Sequence, residues 1–352
     1  MGDVLHGLPA AAALRLALPE SYIGWAIEPH WMPLLTADFK GVRGIAMPVV
    51  DRVHTVPTRE WKLRPFAFAT LRQIAGLRRE MRRGRYDVCV DLQGSIRSAV
   101  IGRLSGSDRV VGPRRPRERQ ARALYGERVD LTEGSVIAQA CELLAVGAGM
   151  AHLEPAEALL PCDLEAREWC AEKLRSCGVT GAFVLLIPGA GWGAKRWPTE
   201  RFAQIARQLQ KQGLAVVTNS SSDTSVNAEL AAAGAVRIES SVAQLIALVR
   251  HASVVIGGDT GPVHLAAALG RPVVALFGPT DPLRNGPHFP GARVVVLRHP
   301  ASQTDHRRHP ATEAGLAQIA VAEVFAATQQ LLSSAELSEP KKRSQSMANN
   351  HG

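Results

Sequence analysis

The run SVVIGGDTGPVHLAAALGRPVVALFGPTDP, Ser253 to Pro282, decides the fold class. Ser253–Ile256 is an apolar stretch of the length of a buried strand, and Gly257-Gly258 breaks it. Asp259 and Thr260 supply side-chain oxygens, and Pro262 suits the first turn of a helix, where a missing N–H costs nothing. Val263–Leu269 is alanine-rich and helical in character, with Gly270 just past its end. A second apolar run, Pro272–Phe277, stops at the turn signal Gly278-Pro279-Thr280-Asp281-Pro282. Strand, loop, helix and strand make one unit of a parallel sheet, and the loop's free amide N–H groups point above the strand ends. Two readings stand: the glycines are plain turn chemistry, or the loop holds an anion, most simply a phosphate. The pattern is neither a G-x-G-x-x-G fingerprint nor a G-x-x-x-x-G-K-[ST] loop, so those mechanisms do not transfer.

Working outward, apolar runs alternate with helical patterns along most of the chain, which implies an α/β fold with open parallel sheets. In the first half the expected strands are Tyr22–Ile27, Gly44–Val49, Asp87–Leu92 and Arg109–Gly112, with helices over Leu8–Leu18, Phe66–Arg83, Ile96–Leu104 and Ser135–Val146. A polar, proline-bearing stretch at Pro155–Asp163 follows, and the pattern restarts. Strands are then expected at Ala182–Ile187, Leu214–Thr218, Val236–Glu239, Val254–Ile256, Pro272–Phe277 and Arg293–Leu297, separated by helices at Thr199–Gln212, Ser225–Ala233, Val242–His251 and Pro262–Leu269. The reading is two doubly wound, Rossmann-like domains, 1–160 and 161–332, facing across a cleft where ligands sit at the strand ends. A last amphipathic helix is expected over Ala314–Leu332, and 333–352 reads as a disordered basic tail carrying Lys341-Lys342-Arg343.

The composition is that of a globular protein: 352 residues, 46% apolar and 21% charged. No apolar run reaches the roughly 20 residues needed to span a bilayer, and no secretory signal is visible, so a cytoplasmic location is expected. Five cysteines, Cys89, Cys141, Cys162, Cys170 and Cys177, follow no metal-ligand spacing and read as reduced thiols. The net charge of +9 is uneven. Residues 78–128 hold fourteen arginines and six acidic residues, an excess of eight. Such a face either attracts anionic lipid head groups or acidic glycans, or is solvated without a partner. With only 5% aromatics and no recognition motif, nucleic acid is not expected as a partner.

Asp259-Thr260-Gly261-Pro262-x-His264, followed by Gly278-Pro279-Thr280-Asp281-Pro282, resembles the signature of the ADP-heptose:lipopolysaccharide heptosyltransferases, glycosyltransferase family 9. The resemblance implies the two-domain GT-B fold and an inverting, metal-independent transfer of heptose from ADP-heptose. The acceptor would be the Kdo or heptose of the lipopolysaccharide inner core, at the cytoplasmic face of the inner membrane. The opening Met1-Gly2-Asp3-Val4-Leu5-His6-Gly7-Leu8-Pro9 resembles a segment that follows the family's first strand, so the first strand of the N-terminal domain is expected to be missing. Its Gly2-Asp3-Val4-Leu5-His6 form leans toward members that add the first heptose to Kdo. A terminal helix bracing the first domain is a further expectation of the resemblance.

The chemistry needs a base for the acceptor hydroxyl and positive charge or N–H donors for the departing diphosphate. The family places its proposed base at the aspartate of the M-G-D segment, here Asp3, whose other reading is a helix N-cap. Gly189-Ala190-Gly191-Trp192-Gly193-Ala194-Lys195-Arg196-Trp197-Pro198 leaves a strand, and the family uses the lysine just before Trp-Pro on the donor diphosphate. Lys195 holds that place, with Arg196 beside it either assisting or facing solvent. By resemblance the amides of the Asp259–Gly261 loop and the Thr260 hydroxyl hold the diphosphate, while Asp259 meets sugar hydroxyls. His264 is either a donor contact or a structural histidine, and Thr280 and Asp281 shape the loop, Asp281 alternatively as a plain turn residue. Asn219, Ser220 and Ser222 are candidate nucleoside contacts; this hydroxyl-rich stretch departs from the glycine-rich, acidic loop common in relatives. No metal and no cofactor beyond the donor are expected. The rival readings are a GT-B transferase for another nucleotide sugar, and a non-catalytic basic protein that binds membrane or nucleic acid.

Overall fold

Six parallel strands form the sheet of the second half, and their order explains where a ligand can sit. A computed structural model of the protein describes residues 1–338 apart from 39–40, 220–222, 306 and 308. The first half contains α1 (Gly2–Ala17), β1 (Gly24–Ile27), β2 (Arg52–Thr55), α2 (Thr58–Leu63), α3 (Phe68–Arg83), β3 (Val88–Val90), α4 (Ile96–Leu104), β4 (Arg109–Pro113), β5 (Glu127–Val129) and α5 (Val136–Gly147). The second contains α6 (Leu164–Ser176), β6 (Phe183–Ile187), α7 (Thr199–Lys211), β7 (Ala215–Asn219), α8 (Thr224–Ala232), β8 (Val236–Ile238) and α9 (Val242–His251). It continues with β9 (Val254–Gly258), α10 (Gly261–Ala268), β10 (Val273–Phe277), α11 (Pro282–Asn285), β11 (Val294–Arg298) and α12 (Val321–Ser338).

The large sheet runs β11-β10-β9-β6-β7-β8, every pairing parallel. Chain order reverses between β6 and β9, so the loops leaving these two strands open a crevice at their carboxyl ends. β6, β9 and β10 are buried along their whole length, and helices on both faces cover them. This is why their sequences read as continuous apolar runs.

The first half departs from that regularity. Its strands fall into two parallel sheets, β1-β2 and β3-β4-β5, and no strand joins β1 to β3 among the described residues. Helix α1 bridges them instead: a Cβ on its Gly7 would stand 3.0 Å from the Trp25 ring of β1 and 3.1 Å from Leu92, just past β3. Leu5 and Leu8 of α1 are fully buried in a core that also contains Ile27, Leu160, Val263 and Leu265. One apolar core therefore runs under both halves.

Several expected elements are corrected. Gly44–Val49 makes only an isolated bridge between Gly44 and Met47, because Pro48 cannot donate to a ladder; the strand follows at β2. β2, β5, α2, α6 and α11 were not foreseen. α1 begins at Gly2, six residues before the expected Leu8. α12 starts at Val321 after a short 3₁₀ turn, Leu316–Gln318, and continues past residue 332 to Ser338. Its Val324, Ala327 and Leu331 pack into the second half's core with Trp197 and Phe202, so its buried face serves that half, not the first. Residues 339–352 lie outside the described residues.

Candidate active site

Two loops meet at the switch point. The one leaving β6 carries Gly189 half-buried at its start and closes on Trp197. Trp197 is fully buried, packs edge-to-face on Phe202 and donates its indole N–H to the Ile319 carbonyl at 3.2 Å. Ala194 N–H donates to the His309 carbonyl at 3.0 Å. These anchors fix Lys195 between them, and its ammonium lies 5.5 Å from the Trp192 ring centre. The loop leaving β9 passes so close that a Cβ on Gly258 would stand 2.6 Å from the Lys195 carbonyl oxygen. Only glycine allows that approach.

Asp259, at the end of β9, is the hub. Its Oδ2 accepts from Lys195 Nζ at 2.5 Å and from the Thr280 hydroxyl at 2.8 Å, and its Oδ1 is 2.8 Å from His264 Nε2. Burial would raise this carboxyl, but the His264 hydrogen bond and the His264 and Lys195 charges outweigh it and hold Asp259 well below the usual carboxylate range. Both oxygens are therefore committed to the protein's own groups. Asp259 thereby positions Lys195 and His264, and Oδ1, with the single His264 bond, keeps a lone pair for a sugar hydroxyl.

The chain of contacts continues into the first half. His264 Nδ1 lies 3.1 Å from Nε2 of His6 on α1, and Phe289 flanks both rings. Burial and the neighbouring His264 push His6 down to about 3, so its ring is neutral at ordinary pH. The ionised Asp259 can only accept, which makes His264 Nε2 a donor. A single file of hydrogen bonds thus links α1, α10 and the Lys195 loop.

Asp3 shares the end and face of α1 that carry His6, being three residues away. It is exposed in the first helical turn and accepts from Gln93 Nε2 at 3.2 Å. It is not the N-cap, which is Met1. Gln93 is itself held in place: buried Asp91 accepts from the backbone N–H groups of Gln93 and Gly94 and from the hydroxyls of Ser98 and Tyr125. Met1 packs on Gly261, the first residue of α10, and burial lowers its amino group to about 6. Asp3 therefore stands outside the His6–His264–Asp259–Lys195 file but beside the start of α10.

Among the described residues two buried side-chain polar atoms find no partner: Thr260 Oγ1 and Arg196 Nε. Thr260 precedes α10; Pro262 has no N–H and the Val263 and His264 amides donate to the Thr260 carbonyl, which leaves the Gly261 N–H at an end where the helix dipole is positive. A hydroxyl, a guanidinium N–H, a lysine ammonium and a helix N-terminus are the donor set that suits an oxyanion such as a diphosphate. Of the nucleoside candidates, Asn219 ends β7 and donates to Ser240 Oγ at 2.9 Å; Ser220 and Ser222 lie outside the described residues. Asp281 caps α11, its Oδ1 accepting from Leu283 N–H at 3.0 Å, which is the turn role. Among the described residues no group of three or more His, Cys, Asp or Glu side chains could hold a metal ion. His6 and Gln93 were missed in the sequence. For His6 the available signal was its place three residues after Asp3 on a helix.

Two α/β halves with parallel sheets, the second doubly wound about a switch point that carries a lysine–aspartate pair, are the frame of a GT-B glycosyltransferase. The profile of glycosyltransferase family 9 (heptosyltransferase) matches residues 74–314, and the chain belongs to that family. Lipopolysaccharide heptosyltransferase 1 of Pseudomonas aeruginosa is 27% identical over 298 residues, covering 80% of this chain and 77% of that protein. Lipopolysaccharide heptosyltransferase 2 of Escherichia coli K12 is 27% identical over 317 residues, 84% of this chain and 85% of its own. The solved structure of E. coli ADP-heptose lps heptosyltransferase II superposes with a TM-score of 0.74 at 23% identity, over 95% of this chain and 96% of that one, a likeness of fold.

Proposed function

We propose that this enzyme transfers heptose from ADP-heptose to the inner core of lipopolysaccharide, with inversion at the anomeric carbon and without a metal ion. The observation that carries the reading is the pair of unpartnered buried donors, Thr260 Oγ1 and Arg196 Nε, beside Lys195 and the N-terminus of α10. In the reaction the acceptor hydroxyl attacks the anomeric carbon from the side opposite the diphosphate. As that C–O bond forms, the bond to the diphosphate breaks, and ADP leaves with the bonding pair. Asp3 takes the hydroxyl proton. Lys195, Arg196, Thr260 and the loop amides stabilise the charge growing on the leaving oxygens. Asp259 aims Lys195 and loses no sugar contact by doing so. The dominant contribution is electrostatic, from donors fixed before the reaction begins.

The acceptor side belongs to the first half, whose arginine-rich stretch, residues 78–128, suits a phosphorylated, carboxylate-bearing lipid A–Kdo acceptor and the anionic cytoplasmic face of the inner membrane. No helix among the described residues is long and apolar enough to cross a membrane, so the contact proposed is peripheral. Incubating the purified protein with ADP-heptose and acceptors ending in Kdo or in heptose tests the reading. ADP release with product of inverted configuration, undiminished by EDTA, is expected; the acceptor that reacts places the enzyme at the first or second heptose. Transfer from GDP- or UDP-sugars with none from ADP-heptose would sink the donor assignment.

A further inference from the structure

Helix α3 turns an unusual face to solvent. Its inner face, Thr70, Leu77 and Met81, is buried, the last two against Val56 and Ile101. Its outer stripe, spaced at three and four residues, is Phe68, Leu71, Arg72, Ala75, Arg78, Arg79 and Arg82, and every one is exposed. The α2–α3 connection extends the apolar end of this stripe. Leu63 is 82% exposed, Phe66 90%, Phe68 81% and Leu71 53%. A cluster of large apolar side chains this far into water is a contact surface rather than ordinary scatter.

The charge around it is one-sided. Residues 59–85 hold nine basic side chains (Arg59, Lys62, Arg64, Arg72, Arg78, Arg79, Arg82, Arg83 and Arg85) against two acidic ones, Glu60 and Glu80. Glu80 is already occupied by Arg52 and His54. None of the nine is in an ion pair among the described residues. A second copy of the chain would set these arginines against each other across a two-fold axis, so self-association on this face is opposed by charge. An anionic lipid surface satisfies both properties together: apolar side chains enter the boundary of the acyl chains while the arginines reach the head groups.

We infer that the α2–α3 segment is the membrane-docking element, with Leu63, Phe66, Phe68 and Leu71 inserting into an anionic bilayer and Lys62, Arg64, Arg72, Arg78, Arg79 and Arg82 binding its head groups. This rests on the membrane-borne acceptor proposed above. The position fits that use. Thr58, at the start of α2, accepts from Arg97 at 2.8 Å, and Arg59 lies near enough to the Met1 amino group to act on its charge. One end of the segment therefore borders the active site while the other meets the lipid.

The test uses the full chain, the Phe66→Ser/Phe68→Ser variant and the Arg72→Gln/Arg78→Gln/Arg79→Gln variant. Sedimentation with phosphatidylethanolamine vesicles, with and without phosphatidylglycerol, reads the docking without any substrate. The wild type is expected to bind only the anionic vesicles and to be released by salt. Each variant should bind at least about tenfold more weakly with an unchanged circular dichroism spectrum. The serine variant should transfer normally to a deacylated acceptor and slowly to one embedded in vesicles. Equal vesicle binding by wild type and variants overturns the inference. So does a dimer that the serine variant abolishes, or retention on single-stranded RNA in place of vesicles. If vesicle binding behaves as expected but ADP-heptose is not used, the docking element stands and the proposed reaction falls.

Discussion

The two halves of the molecule hold their parts of the site by different means. In the second, Lys195, Asp259 and Thr260 hang from β6 and β9, inner strands of a continuous sheet that are buried from end to end. In the first, Asp3 and His6 ride on α1, which spans two small sheets whose β1 and β3 lie mostly half-buried. Placement on a cooperative sheet keeps the donor groups fixed, whereas the acceptor half is the part with lower local stability. In the reaction proposed, a base that must meet a bulky lipid-linked acceptor gains from that looseness; a diphosphate clamp does not.

Removing the fixed charge should have the largest effect. Lys195→Met should lower kcat by about 10²–10³, the loss expected for one donor to a developing oxyanion, and leaves Asp259 held by His264 and Thr280 alone. Steady-state transfer rates check it; a change of less than about threefold would move the diphosphate contact elsewhere. The core offers the next largest contrast. Phe277→Ala in β10 should cost about 3–5 kcal/mol, while Val90→Ala in half-buried β3 should cost about 1 kcal/mol. Denaturant midpoints compare them, and equal costs would break the distinction between the halves. Gly258→Ala should cost about 1–3 kcal/mol by driving a methyl into the Lys195 carbonyl, seen as a lower Tm together with slower transfer.

The last contrast is read in the pH dependence and concerns His6. An unfolded chain protonates this imidazole near its ordinary 6.5, whereas the folded one resists down to about 3. Between those values the unfolded state binds the extra proton, so stability falls as pH drops from about 6.5 toward 3. His6→Phe should flatten that slope, most visibly between pH 6.5 and 4, above the range where Asp259 begins to protonate. Unfolding measured across that range reads it, and an unchanged slope would show that the His6–His264 contact does not set the acid response.

The second half was legible because physics there is local. Its inner strands β6, β9 and β10 are buried on both faces and read as apolar runs, and its loop glycines and Trp197 mark the turns they make. Ser253–Pro282 announced the loop, the helix N-terminus and the strands around them. Its sequence could not announce that Asp259 is held by Lys195, His264 and Thr280, since that depends on which loops the switch point brings together. In the first half, β2 is the short, polar Arg-Val-His-Thr, which carries no apolar run, and β5 has three residues. The proline in Gly44–Val49 hid a turn inside an apolar pattern. His6 lay ahead of the helix expected from Leu8, and the packing of α1 on α10 brings it to His264.

In the reaction proposed, the fixed second half binds the donor while Asp3, on the looser first half, removes the acceptor proton. Asp3→Asn tests it, with ADP-heptose affinity measured by calorimetry and transfer measured on the same preparation. Donor affinity within about twofold of wild type, with transfer lower by about 10²–10⁴, is the predicted result. Transfer at the wild-type rate would contradict it.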